Sequence, residues 1–194
     1  MKLIIASNNK HKIREIKAML GDKFEQILSM SEAGIDHETV EDGDSFIANA
    51  RKKAHEIAAI SGEASLADDS GICVDALGGA PGIYSARFAG DNGGHGDDEA
   101  NNDLLLEKLK NEKNRAAHYT CAMVIAYPDG SEHTAEGYMH GEILTERHGT
   151  GGFGYDPIFR PEGYRVSVGE ITDEEKNRIS HRAKALAALL DLLG

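Results

Sequence analysis

The feature that most constrains this chain is a pair of adjacent carboxylates, Asp68 and Asp69, set in apolar sequence. Leucine and alanine occupy positions 66–67, and after Ser70-Gly71 the chain continues as Ile-Cys-Val at 72–74. Aspartate is rarely buried unless it is paired or holds a metal. The pair therefore either caps a helix or turn, as Asp-Ser-Gly sequences commonly do, or holds a hard cation and positions a water molecule.

The size and composition are those of a globular protein. The 194 residues, 40% of them hydrophobic and 28% charged, suffice for one large domain or two small lobes. No apolar run approaches the roughly 20 residues that span a bilayer, and the first residues do not resemble a secretory signal. Cys73 and Cys121 form no CxxC pair and indicate no disulfide framework. We therefore expect a cytoplasmic, reduced protein with no membrane partner.

The charge of the chain limits its partners. A formal net charge of −12 argues against binding to a nucleic acid polymer, which requires a basic face. It permits a small phosphorylated ligand held by a divalent cation and a few local Lys or Arg residues. The nine histidines form no recognisable ligand set, and we interpret residues 90–99 as a solvated loop rather than a calcium site.

Hydrophobic patterns predict alternating strands and helices, and so an α/β fold. A strand is expected at 2–6, a strand with an acidic turn at 66–75, and a hairpin from strands at 119–127 and about 132–139. Helices are expected after Asn9 and Ser45. Thr172 is expected to open a single C-terminal helix that buries Ile179, Ala183, Leu186, Leu190 and Leu193.

The segment 7–12 (Ser-Asn-Asn-Lys-His-Lys) joins the first strand to the first helix, where backbone N–H groups and the helix dipole favour anions. Lys10 and Lys12 lie where the dipole disfavours cations. A bound phosphate would reverse that penalty, although a capped helix with solvated lysines explains the segment equally well.

A second acidic segment, residues 38–44, supplies four carboxylates, including Glu41. A solvated acidic loop is the usual explanation. Alternatively, one of these carboxylates shares a metal with Asp68 and Asp69, as Mg²⁺ does when it is held by one or two carboxylates and substrate phosphates.

Two later segments could bind a nucleoside. Residues 149–157 contain four glycines around Phe153 and Tyr155, and such a loop can bring an aromatic ring against a planar base. Lys176, His181 and Arg182 could donate hydrogen bonds to a keto oxygen or a phosphate, although a solvated helix face is the commoner explanation. Together the segments form the inventory of a nucleoside triphosphate site.

On these residues the chain resembles the inosine triphosphate pyrophosphatase family. The matching stretches follow one another in the family's order: SNNKHK (7–12), ADDSG (67–71), LGGAPGIYSAR (77–87), GTGGFGYDP (149–157) and EEK…ISHR (174–182). The resemblance implies one α/β domain over residues 1–194, with an elongated mixed sheet flanked by helices and two lobes with a central cleft. It also implies a homodimer and Mg²⁺-dependent hydrolysis of ITP, dITP and XTP to the monophosphate and pyrophosphate.

The resemblance also implies roles for individual residues. Asp69 would activate the water and approach the metal, Glu41 would be the other metal carboxylate, and Asp68 would lie close by. The first motif would bind the phosphates through Ser7, Asn9 and Lys12, with contributions from Asn8, Lys10, His11 and, more weakly, Lys53. The nucleoside pocket would be lined by Ser70, Phe153, Gly154, Tyr155, Asp156, Lys176, His181 and Arg182.

Two other functions are compatible with the same segments. One is a nucleotide sensor that binds a purine triphosphate without hydrolysing it, although surplus carboxylates near a polyanion argue against it. The other is a related pyrophosphatase that acts on modified pyrimidine nucleotides.

Donors at His181 and Arg182 would favour a 6-keto purine over adenine, because adenine would leave them unpaired.

Overall fold

The computed structural model describes residues 2–90 and 96–193, so half of the predicted solvated loop at 90–99 lies outside the described residues. The strands within this part of the chain are β1 (Lys2–Ile5), β2 (Gln26–Ser29), β3 (Ala64–Val74), β4 (Ala116–Ala126), β5 (Glu132–Ile143) and β6 (Phe159–Pro161). The α-helices are α1 (Lys10–Leu20), α2 (Phe46–Ser61), α3 (Asp98–Lys108), α4 (Asp173–Ile179) and α5 (His181–Leu193).

The strands form one mixed sheet in the order β2-β1-β3-β4-β5-β6. Strand β1 pairs in parallel with β2 and with β3, where Ile5 is opposite Leu66. Strand β5 pairs antiparallel with β6, where Ile143 is opposite Phe159. The predicted mixed α/β class is confirmed, while the short strands β2 and β6 were not among the predicted elements.

The described chain divides into two compact units. The first contains the described residues up to Asp69, Cys121–Gly137, and those from Arg182 onward; the second contains Ser70–Thr120 and Tyr138–His181. Because the divisions fall within β3, β4 and β5, each of these strands contributes residues to both units.

The first unit has two apolar clusters that meet alternate residues of β3. Leu66 packs in a cluster with residues of α1 and α5, such as Ile16 and Leu186. Its neighbour Ala67 packs in a second cluster with residues of α2, such as Ala54. Successive side chains of a strand point to opposite faces, so this alternation fixes the direction of the next two residues as well.

The second unit has its own core. It is built from the part of β3 that follows Asp69, from α3 and from the segments around β6. It includes Ile72, Leu105, Tyr119, Tyr155 and Phe159. The aromatic rings of Tyr119 and Phe159 meet edge to face, with centroids 4.9 Å apart, an arrangement that aromatic pairs favour.

The predicted turn at Asp68-Asp69 is wrong, because β3 runs through both residues without interruption. Every residue of β3 from Ala64 to Asp69 is buried, and the strand has a neighbour on each side in the sheet. Interruption of the strand here would leave buried backbone groups unpaired. The two carboxylates therefore lie on a central strand and require partners within the protein.

The single C-terminal helix predicted from Thr172 is also wrong. Thr172 caps α4 as expected, but the helix ends at Ser180, whose extended backbone (φ −66°, ψ 157°) separates α4 from α5. The break redirects the chain so that His181 and Arg182, at the start of α5, are both buried.

The structure has no helix, among those in residues 2–90 and 96–193, that is long and apolar enough to cross a membrane.

Two isoleucines on α2 allow a matched test of the apolar cluster of the first unit that contains Ala67 and Ala54. Ile57 is fully buried against the sheet, whereas Ile60, one turn away on the same helix, is 53% exposed. We expect Ile57→Ala to lower the free energy of unfolding by about 2–5 kcal/mol, because it leaves a cavity. Ile60→Ala should change it by less than about 0.5 kcal/mol. Urea denaturation of both variants measures the difference, and equal losses would contradict the packing described.

Candidate active site

Asp68 lies at the centre of a buried cluster of charges in the first unit. Its Oδ2 accepts hydrogen bonds from Nε and Nη2 of Arg182 at 3.2 and 3.1 Å, and Nζ of Lys12 lies 3.1 Å away. Burial alone would raise the pKa of Asp68, but Lys12, Arg182 and Lys53 hold it well below its usual range. The neighbouring cations therefore favour the ionised form of Asp68 and balance its charge.

The guanidinium of Arg182 joins a second carboxylate to the cluster. Its Nη1 lies 2.5 Å from Oε2 of Glu15, on α1, and both side chains are buried. Burial would lower the pKa of Arg182, but Asp68 and Glu15 raise it. The described contacts of Arg182 are thus with carboxylates of the first unit, and its predicted contact with the base stays a prediction.

Asp69 has different surroundings, because it follows Asp68 on the strand and points to the other face. Its Oδ2 accepts a hydrogen bond from Nδ2 of Asn49, on α2, at 3.0 Å. Burial raises the pKa of Asp69, and the negative charge of Glu41 adds to this effect. The cations Lys53 and Lys12 oppose it without cancelling it.

Lys53 links the predicted acidic loop to Asp69. Its Nζ lies 2.6 Å from Oε1 of Glu41, and its pKa, which burial would lower, is raised by Asp69 and Glu41. Glu41 and Lys53 therefore belong to the electrostatic surroundings of Asp69, while their roles in holding a metal and phosphates stay predictions. The two neighbouring aspartates have pKa values shifted in opposite directions, a pattern typical of carboxylates with different chemical roles.

The carboxylates of this region suit a hard cation. No group of three His, Cys, Asp or Glu side chains within residues 2–90 and 96–193 is arranged as a complete metal site. Magnesium does not need one, since it commonly takes one or two protein carboxylates and completes its shell with water and phosphate oxygens. Oδ1 of Asp68 is buried and accepts no hydrogen bond from the described residues, so this oxygen of the carboxylate has no partner among them.

The first motif forms the capped start of α1. The side chain of Asn9 accepts hydrogen bonds from the backbone N–H groups of His11 and Lys12 at 3.0 and 3.1 Å, and Ser7 Oγ accepts one from Asn9 N–H. Asn8 and Lys10 are exposed. The predicted cap is confirmed, but Lys12 is not solvated, because it turns inward to Asp68.

The glycine-rich segment 149–157 lies in the second unit and is organised by Asp156. The Oδ2 of this buried carboxylate accepts the Phe153 N–H at 2.9 Å and a hydrogen bond from Lys176 Nζ at 2.7 Å. At Gly152, whose φ is +71°, an added Cβ would lie 2.1 Å from the same oxygen. Only glycine therefore fits at this position.

The two aromatic residues of this segment differ in position. The ring of Phe153 is half-buried and carries the Lys176 ammonium 4.4 Å from its centroid. Tyr155 is a core residue whose hydroxyl donates to the carbonyl of Ser85 at 2.7 Å. Phe153 is thus the better placed of the two to meet a planar ligand, while a contact of Tyr155 with a ligand stays a prediction.

His181 packs face to face on Tyr119, with ring centroids 4.6 Å apart and planes 9° from parallel. His181 and Lys176 are only 4% and 3% exposed, so the solvated helix face that they could have formed is wrong. Ser70, the first residue of the second unit, is half-buried on β3.

Sequence reasoning missed three polar residues that hold this arrangement: Glu15, Asn49 and Tyr119. Asn49 had a signal, because it occupies the inward face of α2 beside Ala50 and one turn before the position of Lys53. Tyr119 was assigned only to a strand, and no spacing could indicate that its ring stacks on His181, 62 positions away.

The cluster around Arg182 predicts a large effect on stability. Arg182→Gln leaves Asp68 and Glu15 buried without their cation, and we expect the free energy of unfolding to fall by about 3–5 kcal/mol. Arg178→Gln is the matched control, since Arg178 pairs with Glu175 at the surface and its replacement should change the free energy of unfolding far less. Chemical denaturation distinguishes them, and a loss at Arg182 as small as that at Arg178 would contradict the cluster.

Two glycines with positive φ test the packing around Asp156. An alanine at Gly163 (φ +82°) would meet no atom within 4 Å, so Gly163→Ala should cost only the backbone strain of about 1–2 kcal/mol. Gly152→Ala adds a collision with the Asp156 carboxylate and should cost more than Gly163→Ala. Thermal denaturation compares the two, and equal costs would show that Asp156 is not held against Gly152.

The chain is similar over nearly its whole length to proteins of two bacteria. It is 49% identical over 200 residues to a dITP/XTP pyrophosphatase of Clostridium perfringens, covering 99% of this chain and 97% of that protein. It is 48% identical over 195 residues to a dITP/XTP pyrophosphatase of Desulforamulus reducens, covering 100% of this chain and 96% of that protein.

Solved structures with the same fold include two bacterial proteins. The Staphylococcus aureus Ham1 protein superposes with a TM-score of 0.88 at 38% identity, covering 100% of this chain and 98% of that one. A Mycobacterium abscessus nucleoside-triphosphatase, also called a dITP/XTP pyrophosphatase, does so with a TM-score of 0.77 at 42% identity, covering 98% and 99%. Residues 3–192 match the Ham1 family throughout, and the chain belongs to that family.

Proposed function

We propose that this protein hydrolyses purine nucleoside triphosphates with a non-standard base, namely ITP, dITP and XTP, to the monophosphate and pyrophosphate. The observation that carries the proposal is the contrast between two adjacent buried carboxylates, one held ionised and one with a raised pKa. The names of the relatives, dITP/XTP pyrophosphatases over nearly the whole chain, support the substrate class.

In this proposal Asp69 is the group that activates water. A general base works best when its pKa lies closer to the working pH than that of an ordinary aspartate, and burial shifts Asp69 in that direction. The hydrogen bond from Asn49 fixes the carboxylate while leaving it able to accept a proton. Asp68 cannot take this role, because its cations stabilise the ionised form.

We propose that Asp69 and Glu41, with Asp68 close by, hold Mg²⁺ together with the substrate phosphates. Bound Mg²⁺ would supply charge stabilisation for the pyrophosphate leaving group. The chain's own contribution is a set of carboxylates kept from repelling one another by Lys53 and Lys12. A chain that only bound a polyanion would gain nothing from this surplus of negative charge, which argues against the sensor.

The phosphates are proposed to meet the start of α1. The dipole of α1 favours an anion at its start, with Ser7, Asn9 and Lys12 as contacts and Lys53 as a further cation. Lys12 and Lys53 are already ordered by Asp68 and Glu41, so little side-chain entropy would be lost when phosphate binds.

Base recognition is proposed for Phe153, Lys176 and His181. The half-buried ring of Phe153 offers a stacking surface, and the buried cation and imidazole offer donors suited to a 6-oxo group. Adenine presents an amino group at that position and would leave buried donors unpaired, which discriminates strongly. Guanine carries the same 6-oxo group, so this set of donors does not by itself reject GTP.

The resemblance also supports proposals about the state of the protein in the cell. We propose a homodimer in the cytoplasm. Both cysteines of the chain are free, and burial of Cys121 raises the pKa of its thiol, which suits a protein that keeps reduced thiols.

Asp69→Asn tests the proposed base directly. We expect kcat for pyrophosphate release from ITP to fall by at least about 100-fold, because the amide cannot accept a proton. Asp44→Asn, in the exposed acidic loop, is the matched control and should stay within about twofold. In the wild type, kcat should decline as pH falls through the raised pKa of Asp69, where the base becomes protonated.

Turnover within a few-fold of wild type in Asp69→Asn, with an unchanged melting temperature, would show that another group activates the water. Tight binding of ITP with no product from the wild type would favour the sensor. Preferential hydrolysis of modified pyrimidine triphosphates would favour the related pyrophosphatase that acts on pyrimidine nucleotides.

A further inference from the structure

Two side chains of helix α3 form hydrogen bonds with the backbone of Gly154, which lies in the proposed base-binding segment 149–157. Oδ2 of Asp98 accepts a hydrogen bond from the Gly154 N–H at 2.8 Å, and Nδ2 of Asn102 donates to the Gly154 carbonyl at 3.0 Å. We propose that Asp98 and Asn102 are positioning residues for nucleobase selection. This inference rests on the proposed function, since it assigns them a task in the base site.

The spacing of the two residues explains how one helix does this. Residues four apart lie on the same face of a helix, so Asp98 and Asn102 face Gly154 together. Their bonds go to two successive peptide groups, the one that joins Phe153 to Gly154 and the one that follows Gly154. The pair therefore fixes the direction in which the chain leaves Phe153.

Gly154 needs such a constraint more than its neighbours do. Its φ of +61° lies in the left-handed region, and the space where a Cβ would stand is open, with no atom within 4 Å. Glycine has the largest conformational freedom of any residue, and two hydrogen bonds restrict it. Without them, Phe153 would keep its bond to Asp156 but lose the constraint on its other side.

Asn102 is a poor choice for stability alone. The residue is 1% exposed, and its Oδ1 has no hydrogen-bond partner within the described part of the chain. A buried polar atom without a partner is unfavourable, and an apolar residue would avoid that cost. The bond that its Nδ2 makes to Gly154 is the evident gain.

The adjacent residue provides a control with the same chemistry. Asn101 is also 1% exposed, but it serves a different segment: its Nδ2 donates to the carbonyl of Ala86 at 3.0 Å and its Oδ1 accepts the Ala89 N–H at 2.8 Å. Replacing either asparagine removes a buried amide from the same helix. Only the replacement of Asn102 releases Gly154.

The test compares Asn102→Ala with Asn101→Ala in the full-length protein. Steady-state kinetics with ITP and ATP are combined with inhibition by IMP, which carries the base, and by inorganic triphosphate, which does not. For Asn102→Ala we expect weaker IMP inhibition and a higher KM for ITP, each by about tenfold. The preference for ITP over ATP should fall, while inhibition by triphosphate and kcat should change by less than about threefold. Asn101→Ala should keep the wild-type preference.

Exposed Asp98 gives a second series in which folding is not at risk. Asp98→Ala should weaken IMP inhibition several-fold, and Asp98→Asn should restore it, because the amide oxygen can still accept the Gly154 N–H. Glu99→Ala, which removes the neighbouring first-turn acid and its pair with Arg147, should leave IMP inhibition unchanged.

The outcomes separate this inference from the proposed function. If the wild type hydrolyses ITP but Asn102→Ala and Asp98→Ala keep its IMP inhibition and ITP preference, the positioning role is wrong and the function stands. The role is also wrong if inhibition by IMP and by triphosphate weaken equally, since that indicates general loosening. If the wild type neither hydrolyses ITP nor binds IMP, both proposals fail.

Discussion

The buried ion cluster around Asp68 is the interaction on which the first unit depends. Arg182 and Lys12 neutralise a carboxylate on a central strand, and Glu15 engages the remaining side of the guanidinium. These contacts join α1, β3 and α5 at one point. Removal of any member would leave an uncompensated charge in the interior, so the cluster fixes the positions of three elements at once.

The strand geometry then explains why the neighbouring carboxylate can behave differently. Because successive side chains alternate between faces, Asp69 points toward α2 and the Lys53–Glu41 pair instead of the arginine. The pKa of Asp69 is therefore raised by burial while that of Asp68 is lowered by cations. A turn at this point could not have separated the two environments so sharply.

The sequence predicted much of the architecture and less of its detail. The capped starts of α1 and α2 were visible from Asn9 and Ser45, because capping is a local interaction. The uninterrupted course of β3 and the break at Ser180 were not, because both depend on tertiary contacts that override local preference. The ring of Tyr119 against His181 joins residues far apart in the chain and left no local signal. The resemblance of the sequence motifs to a known family supplied most of the candidate residues, although it did not supply their contacts.

The proposed hydrolysis is best tested by product analysis with ITP, dITP, XTP, GTP and ATP in the presence of Mg²⁺. Pyrophosphate and orthophosphate are quantified separately, and each reaction is repeated with the metal chelated. We expect metal-dependent release of pyrophosphate from ITP, dITP and XTP, with little from ATP. Release of orthophosphate in place of pyrophosphate, or equal hydrolysis of ITP and ATP, would contradict it.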